Sequence, residues 1–495
     1  MTSVLVGQSY FLRFDPKLWR AMRPYPPLGS LYAVGELRAR GHDVSFFDAM
    51  LATSEDEWDA ALARHRPRVA MLFEDSFNYL SKMCLLRMRE AAFRMLGMAA
   101  ARGCVTVVCG SDATDNRQRY LDAGADYVVV GEGERAVVEL LDRLDHGDGD
   151  GADSVRVSIR GVAERDVEGG AIETTRTENL KDLDSLAGPA WDAVDMDRYR
   201  DAWRPHGRFS LNVATTRGCP FRCNWCAKPI WGQRYNSHSP EWVVDQVATL
   251  RASYQADHIA FVDDIFGLKP GWIAAYRDLV RARDLVVPFS CLSRADLLLR
   301  DGEVDALRDA GCETVWMGAE SGAQSVLDAM EKGTRVEQIE QSAARLRAAG
   351  IRVAFFLQFG YPGEGLAEID LTRQLVRRCR PDDIGISVSY PLPGTAFHDA
   401  VQAELGPQRN WVDSADLAML YRGPFTTDFY RHLHRVVHRE FRLRGVAGTT
   451  SVATHLARAA VRPARRDRLA RARDAVLLPV DEHLLRRRAR HETSS

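Results

Sequence analysis

The sequence predicts an α/β protein made of a doubly wound, Rossmann-like domain, a partial (β/α)6 barrel of the TIM type and a helical C-terminal region. Short apolar runs rich in β-branched and aromatic residues alternate with segments of helical periodicity, which is typical of parallel sheets. The alternation occurs in residues 1–145 and again in residues 210–400. We therefore expect two α/β domains joined by a linker at residues 146–209, with a helical region at residues 401–495.

In the first domain the runs predict five strands and four helices. The strands are expected at residues 3–6, 43–47, 69–73, 105–109 and 127–130, and the helices at 28–40, 55–65, 80–101 and 135–144. Ligands of such sheets bind at the carboxyl ends of the strands. Those ends carry residues 8–27, 74–79, 110–114 and 131–134, so we expect a binding site among them.

The connector between the domains carries weaker signals. Residues 146–153 form a glycine- and aspartate-rich run, which predicts a solvated loop because its spacing does not fit a calcium loop. Residues 155–175 predict a small hairpin around Gly169 and Gly170.

Six βα units follow from residue 210. Strands are expected at 210–214, 258–262, 289–292, 314–317, 353–359 and 384–389, with helices at 240–253, 271–283, 302–310, 324–330, 336–349 and 366–379. Six units make an open, partial barrel. Barrels of this type place their sites at the carboxyl ends of the strands.

Three cysteines follow the first barrel strand with the spacing C-x3-C-x2-C, namely Cys219, Cys223 and Cys226. A structural zinc site normally takes four side-chain ligands, and no fourth cysteine or histidine closes this set. A cluster of iron and sulfur held by three thiolates leaves one iron free to bind a substrate. The triplet therefore favours such a cluster over its alternatives, three metal-free thiols or a partial zinc site.

The other cysteines indicate a reducing, cytoplasmic setting. The chain has nine cysteines, an odd number without a regular framework, which argues against a secreted disulfide protein. The N-terminus has no basic leader and no run of 18 apolar residues occurs, so we expect neither a signal peptide nor a membrane span.

The C-terminal tail is basic: from Arg431 onward it contains 16 arginines and 6 acidic residues. Without interleaved aromatics this tail is interpreted as a solvated helical face, and nucleic-acid binding is the less favoured alternative.

The cysteine run, with Trp225 directly before its third cysteine, resembles the radical S-adenosylmethionine (SAM) superfamily. Membership implies a [4Fe–4S] cluster on Cys219, Cys223 and Cys226 whose open iron chelates the amine and carboxylate of SAM. Reduction by a donor such as flavodoxin or ferredoxin then cleaves SAM to methionine and a 5′-deoxyadenosyl radical, which abstracts hydrogen from an unactivated carbon.

The ends of three later barrel strands resemble that family's SAM site. Asp263 and Asp264 follow the second strand, where relatives place acidic groups near the methionine amine. Arg294 follows the third and would grip the methionine carboxylate as a bidentate fork, and Glu320 follows the fourth and would accept from the ribose hydroxyls. In the alternatives, the aspartates cap a helix and Arg294 pairs with Glu320 in a buried salt bridge.

Residues 26–29, 110–114 and 126–134 resemble the cobalamin-binding domain that precedes many radical SAM enzymes. The resemblance implies that Gly110, Ser111, Gly131 and Glu132 contact the cofactor, with the glycines leaving room for its macrocycle or tail. The D-x-H-x-x-G motif is absent and no histidine precedes His42. The lower face of cobalt is therefore expected to meet residues 8–27 or 74–79. In the alternative, this domain binds nothing.

Together the resemblances imply a cobalamin-dependent methyltransferase that methylates an unactivated carbon of a small molecule. Because the chain is rich in arginine, we interpret the small molecule as part of a natural-product pathway. One alternative is a radical enzyme of the same build that catalyses cyclisation, oxidation or rearrangement. A cobalamin or nucleotide sensor without catalysis is the other.

Overall fold

A computed structural model describes the chain except residues 84, 147–158, 166–169, 173, 229, 445–464 and 493–495. The residue Cys84, the predicted loop at residues 147–153 and the turn of the predicted hairpin lie outside the described residues.

The front sheet has six strands in the order β2-β1-β3-β4-β5-β6. Strands β1 to β5 are parallel, and β6 is added antiparallel to β5 at the edge. The bounds are β1 (Ser3–Gly7), β2 (Asp43–Phe47), β3 (Val69–Phe73), β4 (Val105–Cys109), β5 (Tyr127–Val129) and β6 (Val162–Glu164). All five predicted strands are confirmed to within one residue. The strand order reverses between β1 and β3, which is where doubly wound sheets bind their ligands.

Helices cover both faces of this sheet and bury a separate apolar cluster on each. They are α1 (Pro16–Ala21), α2 (Leu28–Ala39), α3 (Asp56–His65), α4 (Tyr79–Lys82), α5 (Leu86–Ala101), α6 (Ser111–Asp115), α7 (Arg117–Asp122) and α8 (Glu134–His146). The single helix predicted over residues 80–101 was wrong. The helix is interrupted between α4 and α5, and the first amides of α5, those of Leu86 and Arg87, donate to the carbonyls of Trp411 and Val412 in the C-terminal region.

The linker packs against both domains. It contains α9 (Met196–Trp203), whose Trp203 indole donates to the Pro24 carbonyl at 2.7 Å. Part of the predicted hairpin is present, since Arg165 bridges Ala171 beyond β6.

The barrel sheet has six parallel strands in the order β14-β13-β12-β11-β10-β7. The bounds are β7 (Ser210–Val213), β10 (His258–Phe261), β11 (Phe289–Ser293), β12 (Cys312–Glu320), β13 (Arg352–Phe359) and β14 (Asp383–Val388). The prediction of a partial barrel is confirmed. Between β7 and β10 a two-stranded antiparallel ribbon, β8 (Thr216–Arg217) with β9 (Asn236–Ser237), carries the cysteine loop, residues 218–235.

The outer layer of the barrel is helical, and most of its helices agree with the predictions to within one residue. They are α10 (Pro240–Tyr254), α11 (Trp272–Ala282), α12 (Ala295–Leu298), α13 (Glu303–Asp309), α14 (Gln324–Ala329), α15 (Val336–Ala348) and α16 (Leu366–Cys379). Their apolar sides join the largest hydrophobic cluster, which continues into the linker and the C-terminal region.

The C-terminal region contains α17 (Ala396–Val401), α18 (Thr427–Arg444) and α19 (Arg465–Glu492), and the last two pack on each other. The tail was interpreted as a solvated face, which holds for only one side of α19. Asp474, Leu485 and Ala489 are buried, and Asp474 pairs with Arg439 and Arg442 of α18. In the part of the chain that is described, no helix combines the length and apolarity needed to cross a bilayer.

Candidate active site

The cysteine loop lies at the carboxyl end of the barrel sheet and is anchored on its far side. Cys219 is buried, and Cys223 and Cys226 are half-buried. The amide of Asn224 donates to the Met330 carbonyl at 3.1 Å, and the Tyr361 hydroxyl donates to Asn224 Oδ1 at 2.9 Å. The loop is therefore tied to the segments that follow α14 and β13, and its three thiols lie above the strand ends.

The thiols lie in an environment that disfavours a bare thiolate. Burial raises the pKa of the Cys226 thiol to about 12 and also raises the pKa of Cys219. A metal ion that coordinates a thiol deprotonates it. Among the described residues, no three cysteine, histidine or acidic side chains converge as they would around one ion. The assignment of the three thiols to a cluster stays a prediction.

Arg294 lies beside the cysteine loop. It is 4% exposed, its guanidinium stacks 3.7 Å from the ring centroid of Phe221, and its Nη1 lies 3.9 Å from the Sγ of Cys223. It also donates to Asp296 Oδ1 at 3.0 Å and to the Lys332 carbonyl at 2.9 Å. A planar cation is thus fixed next to a cysteine of the triplet.

Glu320 is paired, but with a residue that sequence reasoning missed. Its Oε1 accepts from Lys332 Nζ at 2.8 Å, and both side chains are less than 10% exposed. The alternative of an Arg294–Glu320 salt bridge is wrong, because each residue has a different partner. Lys332 also lies 5.9 Å from the ring centroid of Trp225, whose indole Nε1 is buried and has no partner in the described structure.

The two aspartates after β10 differ. Asp263 is 1% exposed and accepts from the amides and hydroxyls of Thr215 and Thr216 at 2.6–3.0 Å, so it fastens β10 to the approach of the cysteine loop. Burial raises the pKa of Asp263 to about 7, and the threonine hydrogen bonds oppose that rise. Asp264 is more exposed and pairs with Lys82 of the front domain at 2.8 Å.

The predicted cofactor edge of the front sheet is densely packed. A Cβ at Gly110 would lie 2.7 Å from Glu74, and one at Gly131 would lie 2.8 Å from Thr177. At both positions the missing Cβ allows the close approach of the protein's own side chains, and the contact of these glycines with a cofactor stays a prediction. The carboxylate of Glu132 is engaged by Arg217 and by the amide of Leu180.

The same edge nevertheless holds buried polar atoms without a partner in the described structure. They are Gln8 Nε2, Ser9 Oγ, Tyr10 OH and Ser111 Oγ. Buried polar groups are normally hydrogen-bonded. Four such atoms at one set of strand ends fit a polar, amide-rich cofactor there. Apart from Ser111, sequence reasoning placed them only within a broad loop.

Three basic residues that were not predicted form ion pairs at this site: Arg217, Lys82 and Lys332. Lys82 and Arg217 bridge the two domains, and Lys332 reaches Glu320 from twelve residues further along the chain. In the sequence, Arg217 precedes Gly218 and Cys219 directly, and this position is the one feature that could have pointed to Arg217 as a site residue.

Residues 213–376 match the family model described as the radical SAM superfamily. This part of the chain is a radical SAM domain. This confirms the resemblance inferred from the cysteine spacing, and it implies a [4Fe–4S] cluster and SAM as the cofactors of the barrel.

Curated relatives are similar at moderate identity. An uncharacterized methyltransferase of Pyrococcus horikoshii is 27% identical over 64% of this chain and 68% of its own length. An anaerobic magnesium-protoporphyrin IX monomethyl ester cyclase of Rubrivivax gelatinosus is 27% identical over 77% of this chain and 66% of its own length. The chain therefore spans about two thirds of the length of these relatives.

Two solved structures share the fold. The radical SAM methyltransferase TsrM of Kitasatospora setae, solved with cobalamin and a [4Fe–4S] cluster, matches with a TM-score of 0.66 at 18% identity, covering 82% of this chain and 76% of TsrM. The cobalamin-dependent SAM radical enzyme OxsB matches with a TM-score of 0.72 at 16% identity, covering 98% of this chain and 72% of OxsB. At these identities the likeness establishes the architecture of both domains.

Proposed function

We propose that the protein is a cobalamin-dependent radical SAM methyltransferase that methylates an unactivated carbon of a small molecule. The observation that carries the proposal is the meeting of two strand-end edges. The cysteine loop and Arg294 lie at the carboxyl end of the barrel, and Lys82 reaches across from the segment after β3 to Asp264. The Lys82–Asp264 pair supports an arrangement in which the edge with the unpartnered Gln8, Ser9 and Ser111 atoms faces the barrel's site.

The residues divide into distinct roles in this proposal. Cys219, Cys223 and Cys226 hold the cluster. Arg294 orients the methionine carboxylate of SAM, and Lys332 fixes the position of the Glu320 carboxylate for the ribose. Asp263 is occupied by Thr215 and Thr216, which precede the cysteine loop. Asp264 is therefore the acceptor for the methionine amine of SAM. Trp225 packs beside Lys332 near the loop.

When bound, the cluster supplies the electron that cleaves SAM, and cobalamin supplies the methyl group. The protein contributes position, charge and exclusion of water. In the front domain, Gln8, Ser9, Tyr10 and Ser111 would hydrogen-bond the cobalamin periphery. An external donor such as flavodoxin or ferredoxin would reduce the cluster.

The test uses the full chain, reconstituted anaerobically with iron, sulfide and cobalamin, then reduced in the presence of SAM. We expect both 5′-deoxyadenosine and S-adenosylhomocysteine, because methyl transfer consumes a second SAM. The variant with all three loop cysteines replaced by Ala should form neither product and show no cluster absorbance, whereas Cys379→Ala should retain both. Production of 5′-deoxyadenosine by the triple variant would refute the assignment of the cluster.

A second candidate is a radical cyclisation that uses the same site, because the relative from Rubrivivax gelatinosus is named a cyclase. Such an enzyme would form 5′-deoxyadenosine without S-adenosylhomocysteine, and its product would carry no added CH2. The same assay therefore separates the two candidates.

A further inference from the structure

A buried ionic contact connects the front domain to the cysteine loop. Arg217 of β8 donates from Nη1 to Glu132 at 2.5 Å and from Nη2 to Glu134 at 2.7 Å. All three side chains are less than 10% exposed. The two glutamates follow β5 of the front sheet, and Arg217 stands two residues before Cys219.

The environment of Arg217 makes this contact specific for a guanidinium. Its central carbon lies 5.2, 5.7 and 5.9 Å from the ring centroids of Tyr32, Phe77 and Trp231. Flat aromatic faces on several sides favour a planar, weakly hydrated cation. A lysine ammonium is a compact point charge that lacks the planar fork with which a guanidinium reaches two carboxylates and stacks on rings. The site is therefore built for arginine.

The charge balance makes the three groups interdependent. Two carboxylates face one guanidinium, so burial and the neighbouring Glu134 raise the pKa of Glu132, while Arg217 opposes that rise. Glu132 also accepts from the Leu180 amide of the linker at 2.6 Å. Removing Arg217 would leave two buried carboxylates without a cation, which is strongly destabilising. The triad thus favours one relative placement of the front sheet, the linker and the approach to the cysteine loop.

We propose that Arg217, Glu132 and Glu134 form an interdomain clamp that keeps the cysteine loop in register with the carboxyl edge of the front sheet, and that this register couples SAM cleavage to methyl transfer. The coupling half of this statement rests on the proposed function. Cleavage of SAM needs the barrel alone, whereas methyl transfer needs both edges at a fixed separation. The three residues are positioning residues, since they act through the loop that they hold.

The experiment compares the wild-type holoenzyme with Glu134→Gln, Glu132→Gln and Arg217→Lys. The glutamines keep the shape and one acceptor oxygen of each side chain, so we expect these variants to fold. Arg38→Gln is the matched control, because Arg38 joins the front domain to linker residue Asp192 in an exposed pair. Each protein is assayed for cluster absorbance and for the ratio of S-adenosylhomocysteine to 5′-deoxyadenosine.

We expect the clamp variants to keep the cluster and to form 5′-deoxyadenosine, while that ratio falls roughly tenfold to a hundredfold, the size of effect that small misplacements of reacting groups produce. A readout independent of turnover is the dipolar broadening of the Co(II) resonance by the reduced cluster, which should become weaker or more heterogeneous. In calorimetry, the clamp variants should unfold in a broader or more divided transition than the wild type. Arg38→Gln should change none of these.

The outcomes separate the two proposals. A wild type that forms no S-adenosylhomocysteine overturns the methyltransferase assignment. The clamp is then still tested by comparing the unfolding transition and the cluster absorbance of its variants with those of the wild type. A methylating wild type whose three clamp variants keep its product ratio and its dipolar broadening overturns the clamp. If Glu132→Gln and Glu134→Gln lose the cluster and SAM cleavage together with methyl transfer, the triad serves folding of the loop and the coupling role is refuted.

Discussion

At the scale of single residues, Arg294 makes a stacking contact and several hydrogen bonds at once, a combination that uses the planar guanidinium of arginine. It stacks on Phe221, approaches Cys223 and donates to Asp296 and the Lys332 carbonyl. We predict that Arg294→Lys weakens SAM binding about tenfold or more, since one lost charge-assisted hydrogen bond costs roughly 1.5–3 kcal/mol. Cluster absorbance should remain. Equilibrium binding of SAM to the reconstituted protein measures this, with Arg300→Lys as the control. Unchanged affinity in a folded variant would contradict the role.

Glu364 offers a pH-dependent prediction at the same scale. Its carboxyl is 1% exposed and accepts from the Gly360 amide at 2.5 Å, and burial raises its pKa to about 8. The folded protein therefore holds this proton above the pH at which the unfolded chain, with an ordinary carboxyl pKa, releases it. Stability from this group is full below about pH 4.5 and falls as the pH rises towards 8, by at most about 1.4 kcal/mol per pH unit.

The isosteric Glu364→Gln removes that titration. Denaturant unfolding at several pH values should show the wild type losing stability relative to Glu364→Gln between about pH 4.5 and 8, because the other raised carboxyls cancel in the comparison. A difference that stays constant across this range, or grows in favour of the wild type, would contradict the assignment.

At the scale of elements, the sequence was most informative where an element is long or fully buried. The strands of both sheets are short apolar runs bounded by turns, and β3 and β4 are confirmed residue for residue because parallel strands need apolar side chains on both faces. The ribbon of β8 and β9 was missed because two-residue strands carry no periodicity. The break between α4 and α5 was missed, and the partner of the first amide of α5, Trp411, lies more than 300 residues away in the sequence.

In the site, too, some residues could be predicted from the sequence and others could not. The cysteine spacing and the polar strand ends placed Cys223, Arg294 and Glu320 at one edge, since the carboxyl ends of parallel strands meet there. Their partners could not be predicted, because Lys332 and Phe221 meet Glu320 and Arg294 only through loop geometry.

The anchoring of the cysteine loop gives a prediction at this scale. Tyr361, in the turn after β13, donates to Asn224 Oδ1 and lies 3.1 Å from the Ala329 carbonyl. Tyr361→Phe removes that hydrogen bond, which should cost roughly 0.5–1.5 kcal/mol locally. We expect iron to leave the cluster faster in the presence of a chelator, with SAM affinity little changed. Tyr254→Phe, on α10, is the control and should match the wild type. Equal rates of iron release for Tyr361→Phe would show that Asn224 is held by its backbone alone.

At the scale of the whole molecule, the C-terminal helices brace the barrel from outside the site. Arg373 of α16 is buried and pairs with Asp370 of its own helix, with Glu440 of α18 and with Glu482 of α19. This network joins the outer layer of the barrel to both terminal helices. Among the described residues, Arg373, Asp370 and Glu482 form no hydrogen bond or ion pair with the cysteine loop or with Arg294.

Removal of the tail therefore tests whether it stabilises or catalyses. A chain ending at Arg444 loses Glu482 and Asp474, but Arg373 keeps Glu440 and Asp370, and water can solvate Arg439 and Arg442 once α19 is gone. We predict a lower melting temperature, by a few degrees for each kcal/mol lost, and unchanged formation of 5′-deoxyadenosine per cluster. Glu482→Gln in the full chain isolates the ionic part of the loss. A folded, cluster-loaded truncation that cannot cleave SAM would give α19 a catalytic role, and salt-sensitive nucleic-acid binding that disappears with the tail would restore the alternative raised by its arginines.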